Sequence, residues 1–237
     1  MPMHQIPLAI RPETAPTFDN FIVGSNALTL SHLRGLRPQH EGAPQPLYLW
    51  GASGVGKTHL LRALASAWPD ATGTAVHSVE AATLDPATLR DAMQQPHWRL
   101  LVLDACDGYD ADQQQAAFAL FVEASTRGAA IAAAGRLPPV DLSLREDLRT
   151  RLGWGLVLPV DPLTEDQSRS ALRSEADRRG LVLSDEVMTY LLTRFPRDLK
   201  HLMALFDRLD DFALSRKRAL TVPLLKQMLA ESPLEMP

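Results

Sequence analysis

Short runs of consecutive apolar side chains alternate along this chain with longer stretches in which apolar positions recur every three to four residues. The runs are Leu47-Tyr48-Leu49-Trp50, Leu100-Leu101-Val102-Leu103, Ala129-Ala130-Ile131-Ala132-Ala133-Ala134 and Leu156-Val157-Leu158-Pro159-Val160, and Ala75-Val76-His77-Ser78-Val79, interrupted by two polar residues, reads as a further strand. Four to six such residues are a strand's length, and an unbroken apolar run marks a strand covered on both faces, as in parallel sheets. The alanine run has helical propensity; Gly135 and Pro138-Pro139 behind it, and its place in the alternation, predict a strand instead. Helical spacing covers residues 25–36, 58–68 through Leu60, Leu61, Leu64, Ala65 and Trp68, 112–127 through Phe118, Leu120, Phe121 and Val122, and 142–152. A further helix is predicted from Asp85-Pro86, since proline suits a first turn. Strand and helix in alternation predict an α/β fold with a five-stranded parallel sheet flanked by helices.

From residue 161 the pattern turns wholly helical. Thr164-Glu165-Asp166-Gln167 reads as a capping box opening a helix that runs to Arg179 and ends at Gly180. Further helices are predicted from Ser184 to Phe195, over residues 197–215 and over residues 222–229. Before the first helix, Pro2, Pro7, Pro12 and Pro16 rule out a central strand or helix interior. Three parts follow: an extended tail at 1–16, an α/β domain at 17–160 and an all-helical domain at 161–237.

Composition changes this picture mainly by exclusion. A formal net charge of −4 argues against holding nucleic acid by bulk electrostatics. Residues 161–218 carry 11 basic and 11 acidic side chains, so the helical part is no DNA-binding patch, and no direct sequence-specific DNA binding is expected. One cysteine, Cys106, fits a reducing compartment. No stretch approaches the ~20 apolar residues of a membrane span, and the first residues lack the charged and apolar regions of a signal peptide. A cytoplasmic protein without membrane contact is expected.

The chemistry begins at Gly51-Ala52-Ser53-Gly54-Val55-Gly56-Lys57-Thr58. It fits the phosphate-binding loop G-x-x-x-x-G-K-[ST] in residues and in context, with a strand entering and a helix leaving. Backbone N–H groups of such a loop cradle phosphate oxygens at the positive end of the helix, the lysine reaches the outer phosphates and the threonine hydroxyl ligates Mg²⁺. Asp104 ends the apolar run 100–103, where open α/β sheets place their ligands, and is the expected second magnesium-side residue, the Walker B aspartate. ATPases of this type usually follow that aspartate with an acidic residue that polarises the attacking water. Here it is Ala105, while Asp107 and Asp110 lie beyond the strand end, so intrinsic hydrolysis is expected to be weak.

Other residues admit two readings from pattern alone. Phe18 and Phe21 can wrap the segment 17–24 over a nucleotide base or simply anchor the tail. Arg145, Arg149 and Arg151 can be a solvated face or meet a phosphate on another subunit, since guanidinium forks onto two oxygens. Arg197 can reach phosphates or sit at the surface beside Asp198. Gln5-Ile6-Pro7-Leu8-Ala9-Ile10 can be a plain leader or an extended segment that lies in a partner's groove.

Together these features resemble the AAA+ ATPases, and more narrowly two bacterial replication families. Thr17-Phe18-Asp19-Asn20-Phe21-Ile22-Val23-Gly24 resembles the opening of the AAA+ domain of the initiator DnaA. Arg149-Thr150-Arg151-Leu152-Gly153-Trp154-Gly155-Leu156 resembles its box VII, and Arg197-Asp198-Leu199 its sensor 2 segment. The sequence 5–10 is similar to the sliding-clamp-binding hexapeptide of the Hda family, DnaA-related regulatory inactivators. Ending at Pro237 without the initiator's N-terminal interaction domain or helix-turn-helix, the chain is expected on the Hda branch.

The resemblance implies an AAA+ P-loop NTPase fold with a C-terminal helical lid. It implies ADP or ATP with Mg²⁺, bound by Gly51, Gly54, Val55, Gly56, Lys57, Thr58 and His59, by Phe21, Ile22 and Val23 around the base, and by Arg197 from the lid. Thr58 and Asp104 would hold the metal. Gln5, Ile6, Leu8 and Ile10 would dock on the β sliding clamp, Arg149 would face the partner, and Arg151 would be an arginine finger offered in trans to the ATP of DnaA. The implied function is negative regulation of replication initiation, the chain activating hydrolysis in its partner rather than acting chiefly as an enzyme itself. A homo-dimer or larger oligomer is compatible with it. Two alternatives stand: a helicase loader of the DnaC type, and a self-sufficient AAA+ ATPase. The sequence departs from the pattern at Ala105 and at Gly135-Arg136-Leu137-Pro138, which lacks the usual polar Asn or Asp of sensor 1.

Overall fold

The computed structural model describes residues 15–37, 45–68, 76–79, 98–195 and 198–231. The tail segment 5–10, the helix expected from Asp85-Pro86, and Arg197 lie outside the described residues. Two compact units divide at residues 162 and 163.

The first unit is built on a five-stranded sheet, all parallel, from β1 (Leu47–Trp50), β2 (Val76–Val79), β3 (Leu100–Leu103), β4 (Ala130–Gly135) and β5 (Leu156–Pro159). Their order is β2-β3-β4-β1-β5. This places the ends of β1, β3 and β4 side by side, and the loops leaving them carry the candidate chemistry. Each central strand splits its side chains by the two-residue period of extended chain. Leu47, Leu49, Leu100, Val102, Ala130, Ala132 and Ala134 enter one core with Leu30 and Leu33 of α1 (Ala27–Gly35) and Leu60, Leu61 and Leu64 of α2 (Lys57–Ala67). Tyr48, Leu101, Leu103, Ile131 and Ala133 enter the other with Ala117, Leu120, Phe121 and Ala124 of α3 (Ala111–Thr126) and Leu148 and Leu152 of α4 (Glu146–Leu152). The alanine run is thus a strand, as its pattern predicts, and lies at the centre of the sheet, where burial on both faces overrides its helical propensity.

One boundary differs from expectation. Residues 142–145 do not join α4, because Leu142 and Leu144 are both buried with exposed neighbours, the alternation of extended chain. The amide of Arg145 donates instead to the Gln114 side chain at 2.9 Å. At the other side of the sheet the amide side chain of Asn26, ahead of α1, both donates to the Asp161 carbonyl (3.0 Å) and accepts its N–H (2.7 Å), while the Thr29 hydroxyl donates to the Pro159 carbonyl (2.8 Å). These bonds satisfy the chain leaving the edge strand β5.

The second unit, from residue 163, contains α5 (Glu165–Arg178), α6 (Asp185–Arg194), α7 (Leu199–Arg216) and α8 (Val222–Glu231). Its core is formed by Leu172, Val187, Leu191, Leu205, Phe206, Leu209 and Leu225 among others. The capping box at Thr164 and Gln167 forms as read, and Gly180, at φ +67°, ends α5 in the left-handed conformation that glycine adopts without cost. Among the described residues no helix is long and apolar enough to cross a membrane.

Candidate functional site

The loop between β1 and α2 takes its shape from glycines. Gly51, Gly54 and Gly56 hold φ of +154°, +80° and +100°. At Gly56 the cost of a side chain would be steric as well as conformational, since a Cβ would stand 2.8 Å from Cε2 of Phe21. Phe21 therefore packs directly on the loop, and its ring also lies 5.6 Å from that of His59. The imidazole Nε2 of His59 hydrogen-bonds the Thr17 carbonyl at 2.9 Å. These contacts, which spacing could not reveal, fasten the segment 17–23 to the start of α2.

Lys57 folds back over the loop, its ammonium donating to the carbonyls of Gly51 (2.7 Å) and Ala52 (2.8 Å). Burial lowers its pKa, an effect opposed by the carboxylates of Asp104 and Asp107 and reinforced by Arg136. The Thr58 hydroxyl donates to Oδ2 of Asp104 at 2.6 Å, and Oδ1 of the same carboxylate accepts the N–H of Ala105 at 2.8 Å. Asp104 is buried, so both oxygens are oriented by neighbours. Ala105 holds φ +52°, a left-handed conformation rare for a residue with a side chain, and this turn aims its N–H at Asp104. The sequence alone gives no signal for that strain.

These residues fit a magnesium nucleotide. The glycines hold loop conformations that residues with a Cβ rarely adopt, a partly desolvated ammonium lies on the loop's carbonyls, and a hydroxyl and a carboxylate at contact distance present a hard-oxygen pair that suits Mg²⁺. Such an ion is held by one or two protein oxygens plus phosphates and water. Accordingly, no cluster of three or more His, Cys, Asp or Glu able to bind a metal occurs among the described residues.

The two carboxylates that could stand in for the missing acid are engaged elsewhere. Asp107 accepts the N–H of Arg136 at 3.0 Å and, through its second oxygen, pairs with the Arg136 Nε. Asp110 caps α3, accepting the Gln113 N–H at 2.8 Å. Arg136, directly after β4, is thus already paired with an acid. Close by, Gly135 leaves no room for a side chain, since a Cβ would lie 2.0 Å from the Tyr48 hydroxyl. Below this end of the sheet Cys106 is fully buried and desolvation pushes its thiol up to about 12, so it is a structural residue.

Arg145, just ahead of α4, and Arg149 and Arg151 within it differ in character. Arg145 pairs with Asp147 at 2.8 Å. Arg149, half-buried, makes no ion pair among the described residues. Arg151, at the penultimate position of α4, stacks over the rings of Trp154 (4.8 Å) and Phe118 (5.1 Å), with Phe121 at 5.9 Å. An exposed tryptophan and a phenylalanine 33 residues upstream thus belong to the setting of Arg151, a grouping that motif spacing does not disclose.

Residues 13–159 match the family model for the bacterial DnaA ATPase domain, and residues 165–229 match that for the Hda lid domain. A protein of Haemophilus influenzae, described as uncharacterized, is 34% identical over 230 residues, covering 95% of this chain and 98% of its own length. Among solved structures, domain III of the Thermotoga maritima replication initiation protein DnaA superposes with a TM-score of 0.74 at 22% identity, over 91% of this chain and 96% of that one. AMPPCP-bound DnaA from Aquifex aeolicus gives 0.65 at 22% identity, over 82% and 65%. At these identities the structures speak for the fold alone. The parallel sheet with a phosphate loop, followed by a helical lid, and the two family matches along one chain lead to a single assignment: the protein belongs to the Hda family of DnaA-related AAA+ proteins.

Proposed function

We propose that this chain is a negative regulator of chromosomal replication initiation: in its nucleotide-bound form, ADP by preference, it docks on the β sliding clamp and completes the ATPase site of DnaA in trans. The observation that carries the reading is the split between its two halves of chemistry. The cradle that holds a nucleotide is intact from Gly51 to Thr58, yet the position after Asp104 is Ala105 and the nearby acids are spent on Arg136 and α3. Arg151, by contrast, stands half-buried on an exposed helix end with no carboxylate partner among the described residues.

In this reading residues 17–160 form the nucleotide-binding domain, 161–237 the lid and 1–16 the clamp-binding tail. Gly51, Gly54, Val55, Gly56, Lys57, Thr58 and His59 hold the phosphates, Phe21, Ile22 and Val23 border the base, and Arg197 belongs to the same nucleotide-binding set. Thr58 and Asp104 would hold Mg²⁺, which when bound neutralises phosphate charge. The nucleotide acts chiefly to set the fold, and the chain works in the cytoplasm with DnaA and the clamp. Gln5, Ile6, Leu8 and Ile10 supply the side chains that dock on the clamp. Arg149 contacts the initiator, and Arg151 stabilises charge developing on the transferred phosphoryl group. Such fingers raise hydrolysis by about 10³- to 10⁵-fold.

The test is substitution at the finger and at the tail. Arg151→Ala is expected to keep ADP and clamp binding and to lose stimulation of DnaA hydrolysis; a fully active variant would defeat the assignment of the finger. Gln5→Ala is expected to abolish retention on immobilised clamp while nucleotide affinity is unchanged, and undiminished retention would remove the tail from the account.

A further inference from the structure

Trp154 is more than half exposed, at 55%, and belongs to neither core of its unit. An exposed tryptophan that packs no core asks for another reason to be there. Its backbone is pinned: the Trp154 N–H donates to the Arg151 carbonyl at 3.2 Å, the Leu156 N–H donates to the Pro46 carbonyl at 2.9 Å, and a Cβ on the intervening Gly155 would stand 2.0 Å from that same carbonyl. The close approach of Gly155 to Pro46 fixes where the indole emerges. The guanidinium of Arg151 lies 4.8 Å from the indole and 5.1 Å from the ring of Phe118, which α3 supplies from the core side.

Stacking engages the faces of a guanidinium and leaves its in-plane N–H donors unspent. That is the opposite of a salt bridge, which would consume those donors. Arg151 has no carboxylate partner among the described residues, although Arg145, just ahead of the same helix, is paired with Asp147. Arg151 and Trp154 also line one open hollow of about 650 Å³ on this surface, with Arg145, Glu146, Asp147 and Thr150. Arg151 therefore stands at a concave, partly acidic surface with no carboxylate partner among the described residues, and one of the three rings around it is Trp154.

We infer that Trp154 is a positioning residue for Arg151: its ring fixes the guanidinium in advance, so that the ordering cost is met before the partner's phosphates arrive. The inference rests on the proposed trans role of Arg151. It predicts an effect on the maximal rate that the partner's site can reach, with the affinity between the proteins unchanged, because Trp154 acts through Arg151.

The test measures DnaA ATP hydrolysis against concentration of this protein on clamp-loaded DNA. Trp154→Ala is expected to lower maximal stimulation roughly ten- to a hundred-fold, with the half-saturating concentration and ADP affinity unchanged, and Trp154→Phe, which keeps an aromatic face, is expected to restore most of it. In an Arg151→Ala background, Trp154→Ala should have no further effect, as expected when one residue works through the other. Full stimulation by Trp154→Ala would overturn the inference. So would a change confined to half-saturation, failure of Trp154→Phe to rescue, or additive losses in the double variant. Failure of the wild-type protein to stimulate at all would instead overturn the trans role itself.

Discussion

At Gly56 a backbone φ of +100° and the ring of Phe21, 2.8 Å from where a Cβ would sit, coincide. Gly56→Ala must both adopt a conformation that L residues avoid and displace Phe21. We expect a loss of about 1–3 kcal/mol in stability, as strained positions cost, and a marked loss of ADP affinity, read by calorimetric titration; unchanged affinity would mean that the loop relaxes freely. Ala105 poses the converse case. At φ +52° glycine is the less strained residue, so Ala105→Gly should keep magnesium-dependent nucleotide binding and gain up to about 1 kcal/mol. Ala105→Pro cannot reach that φ and lacks the N–H that Asp104 accepts. It should weaken nucleotide binding in magnesium more than in EDTA, and equal weakening in both would deny Asp104 a metal role. The motif residues themselves were legible in the sequence, and the structure brings the Thr58 hydroxyl onto Asp104 with Lys57 close by. The strain at Ala105 was not legible, because a left-handed alanine follows from the packing of the turn around it and not from its own propensity.

At the scale of elements, the helical unit shows how charge is used for stability. Glu175 on α5 accepts hydrogen bonds from Arg178 (2.6 Å) and Arg179 (2.5 Å), and Arg179 also pairs with Asp207 of α7 at 2.6 Å while stacking on Phe206. Bonding to Arg178 foremost, and to Arg179, holds the Glu175 carboxyl below its usual 4.5. A carboxylate lowered in the folded state stabilises above its unfolded pKa, and the contribution disappears as pH falls through the folded value. Glu175→Gln should therefore cost about 1 kcal/mol near pH 7, with the difference from wild type shrinking below about pH 4.5, as read by urea unfolding followed by circular dichroism. A difference that persists at pH 3 would assign the loss to packing. Element boundaries were well marked where local chemistry sets them, as at the Thr164 capping box and at Gly180. The start of α4 was misjudged because it depends on a tertiary bond, from Arg145 to Gln114 on another helix, that no local signal carries.

At the scale of the molecule, the strand order brings together residues far apart in the chain. Arg136 meets Asp107, Thr58 meets Asp104, and Arg151 meets Phe118. The first and third pairs were not legible, because no spacing rule links the tip of one strand to the turn after its neighbour. The second was, because phosphate chemistry demands it. What the unit offers is a phosphate-loop motif with Asp107 and Asp110, the acids nearest Ala105, both engaged, and an arginine with no carboxylate partner among the described residues. On the proposed function, hydrolysis takes place in the partner. The most direct measurement is the rate of ATP hydrolysis by DnaA with this protein, ADP and DNA-loaded clamp, against controls lacking the clamp or lacking DnaA. The account predicts rapid conversion of DnaA-ATP to DnaA-ADP only in the complete mixture and little turnover by this chain alone. Fast hydrolysis by the purified chain without either partner, or a DnaA rate that its addition leaves unchanged, would contradict it.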